Sequence, residues 1–256
     1  MASQLSLRRS PGLPEVATAG ALLALAGVAW VVTAGRMSGM DMGPNTDPGA
    51  LGFFTGVWVV MMAAMMFPSA APMVAVYSRI SRRDGRGREL GSTPLFVAGY
   101  LALWTAAGVA GYLVAVAARK SGAVAWDAGG RYGAAGILAA AALYQLTPLK
   151  DRCLRKCRNP LGFVVTNWRA GRAGALRMGT EHGAWCLGCC WALMASLFAL
   201  GIMSVAWMIF VAALIAGEKL LPWRAAANRG IALLLLALAA WIAVAPGSVP
   251  ALTLPM

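Results

Sequence analysis

Residues 183–216 read GAWCLGCCWALMASLFALGIMSVAWMIFVAALIA, a run without one charged side chain. At about 1.5 Å per residue an unbroken helix of that length would extend about 50 Å, well past the roughly 30 Å hydrocarbon core of a bilayer. A break near Gly201 to Ser204 turns it into two short spans. Working outward, windows of about twenty apolar residues mark further spans at 16–35, 52–77, 94–118, 132–148 and 230–246. The chain of 256 residues is 60% hydrophobic and 12% charged, about half the charge of a soluble domain. Lipid therefore takes over part of the burial that a large water-excluding core would provide. These features predict an all-α polytopic transmembrane helix bundle, one integral membrane domain over 1–256 embedded in a lipid bilayer.

Charge sets the expected topology. Lys and Arg number 22 against 9 Asp and Glu, a net +13, and the cations lie between the apolar runs. They are Arg8 and Arg9; Arg36; Arg79, Arg82, Arg83, Arg86 and Arg88; Arg119, Lys120 and Arg131; eight from Lys150 to Arg177; and Lys219, Arg224 and Arg229. Short cytoplasmic loops collect Lys and Arg. Seven spans with a cytoplasmic N-terminus put eighteen of these cations inside and four outside, whereas six spans put fifteen inside and seven outside. Seven is the expected number and six the alternative. The N-terminal run reads as an anchor, since no small-x-small cleavage site follows it. The stretch 149–182 becomes a basic cytoplasmic loop. Topology accounts for the positive charge, no nucleic-acid motif accompanies it, and nucleic acid is not an expected partner. Gly52-x3-Gly56 and Gly129-x3-Gly133 offer the small-x3-small spacing that lets helices approach closely.

Five cysteines between Cys153 and Cys190 are odd in number and too clustered for a disulfide framework. On a helix Cys186, Cys189 and Cys190 stand at i, i+3 and i+4 and share a face. His182, the single histidine, lies one turn earlier on that face if the helix begins before it. Cys153 and Cys157 form a second i, i+4 pair in the basic loop. Thiolate and imidazole suit soft metals, so the set points to Cu(I), with Zn(II) as the alternative. The positive surroundings of Cys153 and Cys157 are expected to lower their pKa. A thiol-redox role competes, because Cys186-Leu-Gly-Cys189 is a CxxC. It is disfavoured by an orientation that puts all five thiols on the reducing side.

Methionines form a second series. Met37, Met40 and Met42 lie in a loop expected outside, and Met61, Met62, Met65 and Met66 occupy one span as two overlapping Met-x3-Met pairs. Neutral thioethers sit in lipid without the cost of a buried charge and hold Cu(I) weakly enough to release it. Met is also an ordinary filler of apolar cores, and Pro68 beside the ladder suggests a kink. Thioethers outside, thioethers midway and thiols inside make an affinity gradient, which resembles the motif logic of Ctr-type copper transporters.

The stretches Met61-Met-Ala-Ala-Met-Met-Phe-Pro-Ser69, Tyr144 through Pro160, and Cys186-Leu-Gly-Cys-Cys-Trp-Ala-Leu-Met194 through Met203, Trp207-Met208 and Glu218-Lys219 resemble a bacterial domain-of-unknown-function family of predicted metal-binding integral membrane proteins. The resemblance covers about residues 50–222 and implies metal binding in the bacterial inner membrane. No paired carboxylates, nucleophile elbow, phosphate loop or dinucleotide fingerprint occurs, which argues against an enzyme, and one histidine ligates a haem or di-iron centre poorly. Glu218 and Asp151 read as interfacial salt partners, and Tyr144 and Gln145 as candidates for ligand contact. The sequence thus favours a membrane protein that transports or delivers Cu(I) through a Met relay to a Cys cluster, with a metallochaperone or cuproenzyme as partner. A non-transporting assembly factor or sensor and a thiol-redox protein remain alternatives, and a homo-oligomer is open.

Overall fold

The computed structural model describes residues 12–37, 49–83, 91–121, 130–201 and 204–249. Among them are nine α-helices and no strand: α1 Leu13–Met37, α2 Leu51–Arg83, α3 Ser92–Lys120, α4 Arg131–Gln145, α5 Pro148–Cys157, α6 Pro160–Thr166, α7 Gly171–Leu200, α8 Val205–Leu220 and α9 Arg224–Val244. Five segments are long and apolar enough to cross a membrane: Leu13–Met37, Leu51–Arg82, Ser92–Lys120, Gly171–Leu200 and Ala225–Val244. They make this an α-helical membrane protein. The expected fourth and sixth spans exist as helices, but α4 has 15 residues and α8 has 16, about 22 to 24 Å of rise.

The break in the long apolar run falls where its glycine permits. α7 ends at Leu200, Gly201 adopts φ 108°, a left-handed value that side chains disfavour, and α8 starts at Val205. The basic stretch read as a loop is itself mostly helical. Thr147 caps α5 by accepting from the Lys150 amide, Asn159 caps α6 by accepting from Gly162, and a proline opens each helix. α7 begins at Gly171, twelve residues before its apolar half.

Pairing residues give the directions. Glu15 of α1 meets Arg79 of α2 at 2.9 Å, with Thr18 and Ser78 hydroxyls 3.2 Å apart, so these helices are antiparallel. Trp58 donates its indole N–H to the Trp104 carbonyl at 2.8 Å, and Tyr77 stacks on Phe96 with centroids 4.6 Å apart, which makes α2 and α3 antiparallel. α3 and α7 run parallel and nearly touch. A Cβ on Gly99 would lie 2.1 Å from the Leu176 carbonyl oxygen, and one on Gly179 would lie 1.9 Å from that of Phe96. The expected small-x3-small sites do not serve this purpose, because a Cβ at Gly52, Gly56 or Gly133 meets nothing within 4 Å. Gly129 lies outside the described residues. α2 continues as a helix through Pro68 and Pro72, and Ser69 donates to the Met66 carbonyl at 3.0 Å.

α4 packs on α9 and α7, and α8 packs against α2, α7 and α9. One apolar cluster joins Met61, Met62, Met65 and Met66 of α2 to Cys186, Cys189 and Cys190 of α7 and Met208 of α8. A second cluster gathers Tyr77, Phe96, Phe163 and Met178 near the end where α5 and α6 lie. That end, with the C-termini of α2, α4 and α8, also carries most of the described cations.

Candidate metal centre

The α7 helix places Cys186 and Cys189 one turn apart, both buried. Cys157, the last residue of α5, approaches from outside the spanning helices. Its Sγ and those of Cys186 and Cys189 all lie within 4.8 Å of one another. Metal–sulfur bonds of about 2.3 Å put three trigonal sulfurs about 4 Å apart, so three thiols so grouped fit a soft cation with little movement.

Backbone contacts hold α5 in this position. Cys153 is seated on Gly188, where an added Cβ would come 2.7 Å from its Sγ. Tyr144 donates its hydroxyl to the Gly188 carbonyl at 2.5 Å. Lys150 is buried, donates to the Cys189 carbonyl at 2.8 Å, and pairs with Glu218 of α8 at 2.7 Å. Arg158, just past α5, donates to the carbonyls of Glu218 at 3.0 Å and Leu221 at 2.6 Å. Glu218 is therefore a fully buried partner of Lys150 and not an interfacial one, whereas Asp151 pairs with Arg155 at the surface. Gln145 is buried with no hydrogen bond to either amide atom.

Two polar groups from distant helices converge on Cys186. The Tyr100 hydroxyl lies 3.1 Å from its Sγ, and Lys219 donates to it at 3.1 Å while also donating to Ser69 of α2 at 3.2 Å. Ser69 is one turn beyond Met65, so Lys219 links the end of the methionine ladder to the thiols. The sequence carried little signal for this role, since a lysine closing an apolar run is ordinary at an interface. Tyr100, 86 residues from Cys186, carried none.

The other expected site residues are distributed as follows. Cys190 is buried beside Cys186 and donates to the Cys186 carbonyl at 2.8 Å; neither it nor Cys153 joins the mutual 4.8 Å group. His182 lies within α7, one turn before Cys186, also outside that group. Its ring stacks on Tyr100 and Phe96 with centroids 5.6 and 6.0 Å apart and sits beside Phe163, and its Nδ1 is buried without a hydrogen bond. Met61, Met62, Met65 and Met66 are all buried, and Met37, expected in an outer loop, is instead the buried last residue of α1. Met40 and Met42 lie outside the described residues.

The expectation of lowered pKa values at Cys153 and Cys157 is overturned. Burial pushes the Cys153 thiol up, and neighbouring Cys189 adds to this against the opposing charge of Lys150. Cys157 is raised well above the ordinary cysteine value, first by sharing its proton with Cys186 and Cys189 and then by burial. Arg155, whose charge was expected to favour thiolate, instead points outward to Asp151.

A family model described as PpoB2, a copper chaperone, matches residues 55–242, a range that holds all three grouped thiols, the methionine ladder and Lys219. No curated protein and no solved structure matches the chain. With nearly three quarters of its length covered by that one model, carrying a three-thiol group suited to a soft metal, the chain belongs to the PpoB2 copper chaperone family.

Proposed function

We propose that this protein carries Cu(I) through the membrane bundle and delivers it from the thiol group of Cys157, Cys186 and Cys189. The observation that supports the reading most is the convergence of those sulfurs within 4.8 Å. Three soft donors without a carboxylate among them favour Cu(I) over harder cations. Met37, Met40 and Met42 capture the ion, Met61, Met62, Met65 and Met66 relay it, and the thiols receive it. Burial of the ladder in the same apolar cluster as the thiols supports that order. Cys153, Cys190 and His182 stand by as further donors. Lys219 offsets the negative charge of the metal–thiolate group and holds Cys186 in register with α2.

The topology that accompanies this reading has seven spans, α4 and α8 being the short ones, with the cation-rich end and the N-terminus in the cytoplasm of a bacterial inner membrane. Cys157 on a short helix outside the spans is then the point of exchange with a cuproenzyme or a soluble metallochaperone. Ligand exchange between thiolates needs no catalyst of its own, in keeping with a carrier.

The test is Cu(I) affinity under anaerobic conditions, by competition with a chromophoric chelator. Ser substitution at Cys157, Cys186 or Cys189 abolishes the tight fraction, and Leu substitution at Met62 and Met66 slows copper delivery while leaving tight binding in place. Tight binding that persists in all three Cys variants contradicts the proposal.

A further inference from the structure

Between α5, α6 and α7 lies a half-open pocket of about 610 Å³, lined by Leu149, Arg152, Arg155, Lys156, Phe163 and Trp185 among others. Arg155 is already paired with Asp151. Arg152 and Lys156 make no ion pair among the described residues, and the Lys156 ammonium stands 5.9 Å above the Trp185 ring. The pocket therefore carries two uncompensated cations over an aromatic shelf. Exposed apolar side chains accompany these cations: Leu149 of the lining is 57% exposed, and Leu146 and Val165, close to lining residues in sequence, are 57% and 63% exposed. Trp185 is the third residue of the apolar half of α7, and tryptophan is enriched where a span meets the headgroups.

We propose that this pocket binds the headgroup of an anionic phospholipid. Arg152 and Lys156 take the phosphate, Arg155 closes the rim, Trp185 lies at headgroup level, and Leu146, Leu149 and Val165 contact the upper acyl chains. Two cations for one phosphodiester give a strong preference over zwitterionic lipids, because basic groups at a membrane surface each add to anionic binding. A soluble anion would use the cations but leave the exposed leucines and valine without a partner. The volume is in the range that holds a compact ligand group. Lys156 and Trp185 directly precede Cys157 and Cys186 in sequence, so a bound lipid also pins the end of α5 against α7.

The test is native mass spectrometry of the full-length protein in detergent, titrated separately with phosphatidylglycerol, phosphatidylcholine and inorganic phosphate. Wild type is expected to retain phosphatidylglycerol in preference to phosphatidylcholine, and Arg152→Gln/Lys156→Gln to lose that preference by on the order of tenfold. Equal retention of the two lipids, an unchanged preference in the double variant, or displacement of lipid by millimolar inorganic phosphate overturns the proposal. Should the double variant fold poorly, quenching by brominated phosphatidylglycerol decides on native side chains. The quenched fluorescence that is lost in Trp185→Phe must exceed that seen with brominated phosphatidylcholine, and equal quenching by both lipids counts against the site.

Discussion

At the scale of the residue, the thiol group is built from one short helix and one long one, so its geometry depends on a seat as well as on ligands. Gly188→Ala would drive Cys153 off α7, since the new Cβ falls 2.7 Å from its sulfur. Copper affinity is expected to fall although no thiol is removed, and Cys153→Ala in the same chain should recover much of it, both read by chelator competition. Lys219→Met removes a charged hydrogen bond to Cys186, a class of interaction that contributes about 1.5 to 3 kcal/mol. A tenfold or larger loss of Cu(I) affinity is the expected outcome, and unchanged affinity would remove Lys219 from the site. The raised Cys153 thiol also fixes a pH trend. Below the ordinary cysteine pKa both states hold this proton and nothing is lost. Above it the unfolded chain ionises first, so the metal-free protein is expected to lose stability as pH climbs from about 8.5. Copper binding, which requires thiolate, tightens over the same range.

At the scale of the element, two devices fix how helices meet. The α3–α7 crossing relies on Gly99 and Gly179, whose Cβ positions would overlap backbone carbonyls. Overpacking of this kind costs about 1 to 3 kcal/mol, and the rigid backbone on the far side makes the upper end the expectation for Gly179→Val. Gly52→Ala is the matched control. It has open space around it and gains helix propensity of up to about 1 kcal/mol, so its melting temperature should hold or rise. The second device is the buried Lys150–Glu218 pair. Glu218→Ala leaves a lysine charge stranded in the core, a loss of about 3 to 5 kcal/mol, whereas replacing both partners with apolar residues is nearly neutral. A double variant as unstable as the single one would mean the pair is not what matters there.

Helix existence was largely legible in the sequence, because an apolar run of span length satisfies its backbone polar groups in lipid by closing into a helix, and the break at Gly201 follows from length and a permissive residue. The lengthened start of α7 was not, since residues 171–182 are amphipathic and charged and their helicity depends on packing against α3. The site was half legible. Spacing alone aligns Cys186 with Cys189, but only the α5 fold-back selects Cys157 over Cys153 and Cys190 as the third sulfur. The Gly52 and Gly56 pair chosen by spacing meets no neighbour, because a small-x3-small pattern records space on one helix and says nothing about which neighbour fills it.

At the scale of the whole molecule, cations gather at one end of the bundle, the thiols sit just inside that end, and the methionine ladder occupies the adjoining core. In the proposed function this order of donors is the copper path, running from thioether to thiolate with Lys219 at the junction. The proposed function depends on a soft metal occupying the three converging sulfurs. The most direct test is metal content by mass spectrometry of anaerobically purified protein, comparing wild type, the Cys157/Cys186/Cys189 triple Ser variant and the Cys153/Cys190 double Ser variant. Copper is expected in the wild type, largely kept in the double variant and absent from the triple. Equal copper in all three, or zinc in place of copper in the wild type, would contradict it.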